Sequence, residues 1–158
     1  MGKSLFLTVI YAVCSLCYMA AQGLVNVKHY SVKDGMSQNT VQGVLQDNEG
    51  YIWMATWNGL EKFDGYSFKN YKTYPTDKVK LQYNRLVNLQ LGGNQMLVCQ
   101  SYDRRGYLFD IRRECFEDVF AYHPEVKLCT AASKIITLPN GMVWIVGTNG
   151  DLWRIDCF

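Results

Sequence analysis

The chain has 158 residues, of which 49% are hydrophobic and 14% aromatic, and its net charge is only +2. This charge balance excludes a nucleic-acid-binding protein that works by neutralising phosphates. The apolar content excludes an intrinsically disordered chain, because enough surface can be buried to offset the entropy of ordering.

The first 21 residues have the pattern of an export signal. Lys3 precedes an uncharged, apolar run from Leu5 to Ala21, which is short for a membrane span but suits a signal peptide. Residues 1–21 are therefore predicted to be a signal peptide, with an uncleaved anchor or a buried core helix as alternatives. The remaining residues are expected on the periplasmic side of the inner membrane.

The rest of the chain opens with a unit of four short strands. In residues 41–71, apolar or alternating runs are separated by turn residues, which is typical of antiparallel strands. These strands are called A, B, C and D in chain order. Asn58-Gly59, between strands B and C, predicts a type I′ turn, which needs positive φ at both positions.

The same unit returns at a fixed spacing. Pairs of an apolar residue and an aspartate lie 46 residues apart, at 63–64, 109–110 and 155–156. Trp53 and Asn58-Gly59 recur 91 residues later as Trp144 and Asn149-Gly150. The middle copy has no tryptophan in strand B, and its B–C turn is predicted to be longer.

Glycine-bearing repeats of 40–50 residues with four strands are typical of a β-propeller. We predict an all-β fold of four-stranded antiparallel blades, with blade 1 at 41–71, blade 2 at 86–121 and a partial blade 3 at 132–158. A sandwich of about eleven strands is the alternative, but a sandwich does not require a fixed period.

Residues 22–40 are predicted to hold an orphan outer strand and the connection to blade 1. Val27–Tyr30 resembles strand D of the first blade and directly precedes strand A. Such a strand completes the last blade of a closed ring, which needs roughly 320 residues for about seven blades. The incomplete ring of about two and three-quarter blades predicts the N-terminal piece of a longer protein.

The cysteines and histidines do not indicate a metal or cofactor site. Four cysteines follow the signal segment and allow three pairings: Cys99, Cys115, Cys129 and Cys157. Each lies in or beside an apolar strand, which favours buried, unpaired thiols. His29 and His123 stand alone, so no cofactor is predicted.

The first blade resembles the two-component regulator propeller repeat. The matching segments are Tyr30-Ser-Val-Lys-Asp-Gly-Met-Ser-Gln-Asn39, Leu45-Gln-Asp47, Gly50-Tyr-Ile-Trp53, Thr56-Trp-Asn-Gly-Leu60 and Phe63-Asp-Gly65. The D-G-M-S-x-N opening, just after a signal segment, is distinctive of the first blade in that family. The resemblance covers residues 27–158 and is weak in the middle copy.

The resemblance implies the N-terminal part of the periplasmic sensor of a hybrid two-component histidine kinase/response regulator. Such a sensor detects ligands derived from poly- or oligosaccharides and signals across the inner membrane. The resemblance also implies further blades in the same parent chain and a dimeric full-length sensor, with no nucleic acid bound through this region. No kinase or receiver motif lies in these 158 residues, so the chain is not predicted to be an enzyme. An exported scaffold that binds proteins or glycans, and a fragment of a propeller enzyme, are the alternatives.

Candidate ligand-binding residues fall on one predicted rim. The D–A and B–C loops share this rim, where propeller ligands usually bind, and Arg85 lies at the same edge. The candidates are Trp57, Asn58, Tyr102, Arg104, Arg105 and Asn149. Trp57 is suited to stack on a sugar, and Arg104 or Arg105 to pair with the carboxylate of an acidic sugar. Packing between blades and a solvated loop are the respective alternatives.

Other repeated residues are predicted to be structural, and no catalytic residue is predicted. Trp53 and Trp144 occupy the same strand-B position and are expected to pack between blades. Gly59 and Gly150 belong to turns. The carboxylates that end strand C are expected to cap turns through bonds to backbone N–H groups: Asp64, Asp110 and Asp156.

Overall fold

A computed structural model describes residues 2–3, 6–11, 25–74, 76–77, 81, 83–93, 95–117, 132–138 and 140–156. Within the predicted signal peptide, residues 2–3 and 6–11 are helical and exposed, and the other positions lie outside the described residues. No helix in the described ranges is long and apolar enough to cross a membrane.

The described residues form eleven strands in three antiparallel sheets. The first sheet contains β1 (Val41–Gln46), β2 (Ile52–Thr56), β3 (Gly59–Phe63) and β4 (Phe68–Tyr71). The second contains β5 (Leu86–Leu91), β6 (Met96–Ser101), β7 (Gly106–Asp110) and β8 (Cys115–Glu117). The third contains β9 (Ala132–Thr137), β10 (Met142–Gly147) and β11 (Leu152–Asp156). The predicted all-β fold of antiparallel blades is therefore confirmed, and the sheets do not close into a ring.

The first and second sheets pack through an aromatic cluster. Trp53 is completely buried, and its ring stacks on Tyr71 at 5.7 Å and meets Phe109 at 5.4 Å. β1 lies directly against β5, since a Cβ on Gly43 would be in van der Waals contact with Leu89, 3.4 Å from its backbone nitrogen. Burying each large apolar side chain contributes roughly 1.5–3 kcal/mol, so this cluster holds the two blades together.

The second and third sheets are joined by two glutamine side chains beside their apolar contact. Gln90 Nε2 donates to the Ile135 carbonyl at 2.6 Å, and Gln90 Oε1 accepts from the Thr137 N–H at 2.7 Å. Gln100 Nε2 donates to the Ala132 carbonyl at 2.9 Å. These bonds satisfy backbone groups of β9 and set its position against the second sheet.

The outer faces of the first and third sheets differ. On the first sheet, Tyr30 packs on Phe63 and Phe68, with ring centroids 4.9 and 5.6 Å apart. On the third sheet, no described sheet covers the face that carries Trp144, which is only half-buried. Residues 25–30 form no strand in this structure. The orphan strand was expected to pair with the last blade of a closed ring, which is not among the described residues, so it stays a prediction.

The turn between β2 and β3 departs from the expected geometry. Gly59 has a φ of 107°, whereas Asn58 does not have positive φ, so the predicted type I′ turn is wrong. Residue 59 instead has to approach β4 closely, because a Cβ there would lie 2.3 Å from the Tyr71 carbonyl oxygen. Glycine is therefore required by a neighbouring strand as well as by φ.

The corresponding turn of the second blade matches the turn of the third blade. The Ser101 N–H donates to the Arg105 carbonyl, and the Arg104 N–H to the Ser101 carbonyl, both at 2.9 Å. In the third blade, the Gly147 N–H donates to Asp151 and the Gly150 N–H to Gly147. Both turns are one residue longer than the first blade's turn, in which Thr56 pairs with Gly59. The longer B–C turn predicted for the middle copy is therefore confirmed relative to the first blade, whereas the short hairpin expected at Asn149-Gly150 in the third copy is wrong.

Candidate functional site at the rim of the first two blades

Two exposed aromatic rings and one arginine meet at the rim formed by the D–A and B–C loops. The Arg85 guanidinium carbon lies 4.9 Å from the ring centroid of Trp57 and 6.0 Å from that of Tyr102. Trp57 is 41% exposed and Tyr102 is 64% exposed. We call these three residues the rim cluster.

Backbone hydrogen bonds fix the positions of the rim cluster. The Tyr102 N–H donates to the Arg85 carbonyl at 2.9 Å, and the Trp57 N–H donates to the Thr40 carbonyl at 3.3 Å. Each B–C turn is thus bonded to the D–A loop of its own blade. Trp57 and Tyr102 stand on short B–C turns, and Arg85 directly precedes β5, so each residue of the cluster lies next to the end of a strand.

The Arg85 guanidinium has no charged partner in the described structure. It stacks on aromatic faces, a contact worth about 0.5–1 kcal/mol at an exposed site. None of the described residues accepts a hydrogen bond from it. Its N–H donors are therefore available to solvent or to a ligand.

Arg105, a predicted ligand-binding residue, has a partner within the chain. Its Nε lies 3.4 Å from Asp103 Oδ2, which makes an ion pair but no hydrogen bond. Ser101 Oγ donates to the other carboxylate oxygen of Asp103. The charge of Arg105 is thus largely balanced by Asp103.

Arg104 is exposed and has a left-handed backbone with φ of 66°. Its carbonyl accepts a hydrogen bond of 2.7 Å from the Ala132 N–H at the start of β9. The turn that carries Tyr102 is therefore connected directly to the third blade. No bond of the Arg104 side chain is present within the described residues, so this cation is also unpaired.

The two asparagine candidates contribute to turns. The Asn58 N–H donates to Thr56 Oγ1 at 3.1 Å, and the Asn58 carbonyl accepts from Asn70 Nδ2 at 3.0 Å. Asn149 Oδ1 accepts from the Asp151 N–H at 3.2 Å, in the third blade. Asn58 adjoins Trp57, whereas the structure does not bring Asn149 into contact with the rim cluster. Ligand binding by either amide stays a prediction.

The three carboxylates that end strand C interact with nearby backbone and side chains. Asp64 Oδ1 accepts from the Ser67 N–H at 2.7 Å, and such bonds lower the pKa of this carboxyl. Burial raises the pKa of Asp110, but the bonds from Arg113 and its neighbour outweigh burial and give a net lowering. Asp156 lies 3.5 Å from Arg154. Low pKa values leave Asp64 and Asp110 ionised and unsuited to act as acids at neutral pH.

Two buried carboxylates were not among the predicted site residues. Asp47 accepts from the Trp53 indole N–H at 2.7 Å and from the Glu49 and Tyr51 N–H groups at 2.9 Å. The D-x-x-G-x-x-W spacing of residues 47–53 was the signal for this contact. Glu61 is completely buried, and nothing in its alternating strand distinguishes it from an exposed glutamate.

A cleft of about 300 Å³ lies at the opposite rim, between the A–B turns of the first two blades. Asp47, Glu49, Gln95 and Ile111 are among the lining residues. The Asp47 carboxylate already accepts three hydrogen bonds from its own blade, which uses most of its acceptor capacity. The rim cluster is therefore the better candidate site.

The described cysteines are unpaired, and metal binding has no support in the described ranges. Cys99 is a buried free thiol whose pKa is raised by burial, and Cys115 is also free. Cys129 and Cys157 lie outside the described residues. The described part of the chain contains no group of three or more residues suited to hold a metal ion.

Face-to-face packing of these antiparallel blades, with an accessible aromatic and cationic rim, defines a segment of a β-propeller. Solved structures of this fold include extracellular domains of bacterial one- and two-component systems. One, from a hybrid two-component system of B. thetaiotaomicron, matches with a TM-score of 0.62 and 20% identity, over 82% of this chain and 20% of that one. Another, from a one-component system of B. thetaiotaomicron, has a TM-score of 0.54 and 23% identity, over 77% and 16% of the two chains.

The sequence is also similar to a histidine kinase. Over 76 residues it is 32% identical to histidine kinase P4 of Formosa agariphila, which covers 48% of this chain and 6% of the kinase. No family model matches the chain. The predicted resemblance to the extracellular sensor region of two-component regulators is confirmed by these neighbours. The chain corresponds to only a small part of each relative.

Proposed function

We propose that the chain is the N-terminal part of the periplasmic sensor of a hybrid two-component histidine kinase. Its blades bind an oligosaccharide at the rim cluster. The observation that carries this proposal is the unpaired Arg85 guanidinium between exposed Trp57 and Tyr102. The similarity to extracellular sensor domains and to a histidine kinase supports the sensor role.

The rim cluster has the chemistry of a saccharide site. A sugar ring presents C–H groups on its faces and hydroxyl groups at its edge. Aromatic rings pack against the faces, and a guanidinium donates several hydrogen bonds in one plane. The aromatic surface of Trp57 and Tyr102 that Arg85 does not cover packs against the sugar, and Arg85 supplies the donors.

Binding at this rim would be coupled to the packing of the blades. A ligand across the cluster touches Trp57 of the first blade and Arg85 and Tyr102 of the second. The turn that carries Tyr102 is bonded through the Arg104 carbonyl to the third blade. A ligand that prefers one arrangement of the blades shifts the population toward it. In the parent protein, further blades, a membrane helix and a dimeric kinase would transmit this shift.

The experiment compares Trp57→Ala with a matched aromatic change at the other rim. Tyr66 is 96% exposed in the C–D turn of the first blade, so Tyr66→Ala removes an aromatic ring from the opposite edge. Binding of oligosaccharides is measured by calorimetry for the 158-residue chain and for the full parent sensor. We expect Trp57→Ala to weaken binding about tenfold or more, which is about 1.4 kcal/mol, and Tyr66→Ala to leave it unchanged. Equal affinities for wild type and Trp57→Ala would refute the proposed site.

A further inference from the structure

We infer that the rim cluster selects a sugar that carries a negative charge, a carboxylate or a sulfate, and that Arg85 is the residue that pairs with this charge. This inference rests on the proposed saccharide-binding function and deepens it. The notable feature is a cation that is held in place by aromatic rings and has no acidic partner among the residues that the structure describes.

The stacking of Arg85 leaves its hydrogen-bonding edge free. The guanidinium carbon lies over the ring of Trp57 at 4.9 Å and over that of Tyr102 at 6.0 Å, and no described residue accepts a hydrogen bond from the N–H groups. The N–H groups lie in that plane and match two oxygens of a carboxylate or a sulfate. A guanidinium oriented in advance loses less rotamer entropy when such an anion binds.

The local charge is positive although the chain as a whole is almost neutral. Arg85 and Arg104 are exposed and unpaired within the described structure, whereas the charges of Arg105 and Asp103 face each other. Near the cluster the sum of these four charges is therefore positive, against a net charge of +2 for all 158 residues. Positive potential at an open rim raises the association rate of anionic ligands.

The backbone of Arg104 provides an independent observation. The second blade has three non-glycine residues with positive φ, and two of them are bonded through their side chains. Gln95 accepts from Arg112, and Glu114 accepts from Lys69 and Tyr71. The third, Arg104, has no such bond in the described structure. Unfavourable backbone conformations are typical of functional sites, so a cation here fits a role in ligand binding.

The test uses pairs of sugars that differ only in charge. The probes are a galacturonate trisaccharide, its methyl ester, and a sulfated and an unsulfated galactose trisaccharide. Binding to the 158-residue chain is measured by calorimetry and by tryptophan fluorescence for wild type, Arg85→Gln, Arg85→Lys and Arg112→Gln. Arg112 is an exposed arginine at the opposite rim and serves as the control.

We expect at least one charged probe to bind about tenfold or more tightly than its neutral partner, with an advantage that falls as salt increases. Arg85→Gln should abolish this preference, Arg85→Lys should reduce it, and Arg112→Gln should preserve it. The uronate and sulfate arms identify which anion is selected. Thermal unfolding of Arg85→Gln should stay within about 4 °C of wild type, because one exposed stacking contact is lost.

Three results would overturn the inference. Equal binding of charged and neutral probes would refute charge selection and leave the proposed saccharide function standing. Retention of the charge preference in Arg85→Gln would refute the role of Arg85. Failure of all four probes to bind at concentrations of tens of millimolar would count against both the inference and the proposed function.

Discussion

Glu61 illustrates how one residue joins the N-terminal segment to the first blade. Its carboxylate is completely buried beneath residues 30–39, and Oε1 accepts from the Ser37 N–H at 2.6 Å. The other oxygen, Oε2, has no hydrogen bond in the described structure. Burial raises the pKa of Glu61, and hydrogen bonds from the backbone and side chain of Ser37 partly oppose this rise. No charged side chain contributes to the shift.

The raised pKa of Glu61 predicts a definite pH dependence. A carboxyl whose pKa is higher when folded stabilises the protein below its ordinary value of 4.5 and loses that contribution as the pH rises through the folded value. Glu61→Gln removes the buried charge and keeps a group for the Ser37 N–H. We therefore expect its free energy of unfolding to exceed that of wild type near neutral pH, with the two values converging as the pH falls. Urea unfolding at several pH values measures this difference.

Glu114→Gln is the matched control with the opposite sign. Hydrogen bonds from Lys69 and Tyr71 lower the pKa of Glu114, so its contribution is present above the unfolded pKa and is lost in acid. Removing this charge should lower stability near neutral pH. A Glu61→Gln protein that is less stable than wild type at neutral pH would contradict the account of the buried carboxyl.

At the scale of single elements, equivalent turns have the same left-handed backbone position although different residue types occupy it. The A–B turns have positive φ at Gly50, Gln95 and Gly141. The first and third close with the same pair of backbone hydrogen bonds, whereas in the second the Met96 N–H donates to the Gly93 carbonyl. The B–C turns of the second and third blades place Arg104 and Gly150 in the same left-handed position. Sequence comparison detects such a position easily when glycine occupies it. The middle blade therefore resembles the others only weakly in sequence, although its B–C turn is equivalent to that of the third blade.

In the B–C turn of the second blade, Arg104→Gly is predicted to raise stability and to weaken ligand binding. Arg104→Gly relieves the left-handed conformation of a residue with a Cβ, which costs about 1–2 kcal/mol. We expect a gain in the free energy of unfolding of up to about 1 kcal/mol, because glycine also gives the unfolded chain more freedom. The same change should weaken anionic saccharide binding. Denaturant unfolding and calorimetry measure the two effects.

Gly150→Arg makes the reverse change in the equivalent turn of the third blade. It should lower stability by about 1 kcal/mol without affecting the rim cluster. A destabilising Arg104→Gly would mean that the Arg104 side chain makes a stabilising contact within the chain. It would refute the prediction that the left-handed backbone of Arg104 costs stability.

At the scale of the whole molecule, the two faces of the third sheet have different environments. Ile135 is only 2% exposed and packs against the second blade, whereas Ile136 is 38% exposed on the face that carries Trp144. Trp53 at the same blade position is buried by the next sheet. The open apolar face is suited to pack against another blade.

These faces predict opposite outcomes for two adjacent substitutions. Ile136→Lys should raise the solubility of the 158-residue chain and change its stability by less than about 1 kcal/mol, because the side chain is already accessible. Ile135→Lys should prevent folding, because a charge would be buried in the interface. In the full parent, Ile136→Lys should become destabilising if a further blade covers this face. Solubility and circular dichroism measurements distinguish these results.

The sequence alone determined the all-β class, the four-stranded unit and the rim on which Trp57, Arg85 and Tyr102 lie. Each follows from local patterns, because alternation, turn residues and a fixed period specify strands and their order. The tertiary structure decided which rim residues are in contact with one another. It also placed Arg105 in an ion pair with Asp103 and buried Glu61. These outcomes depend on how neighbouring sheets and loops approach one another. The residues that adjoin a position in the sequence do not predict which distant segments will contact it.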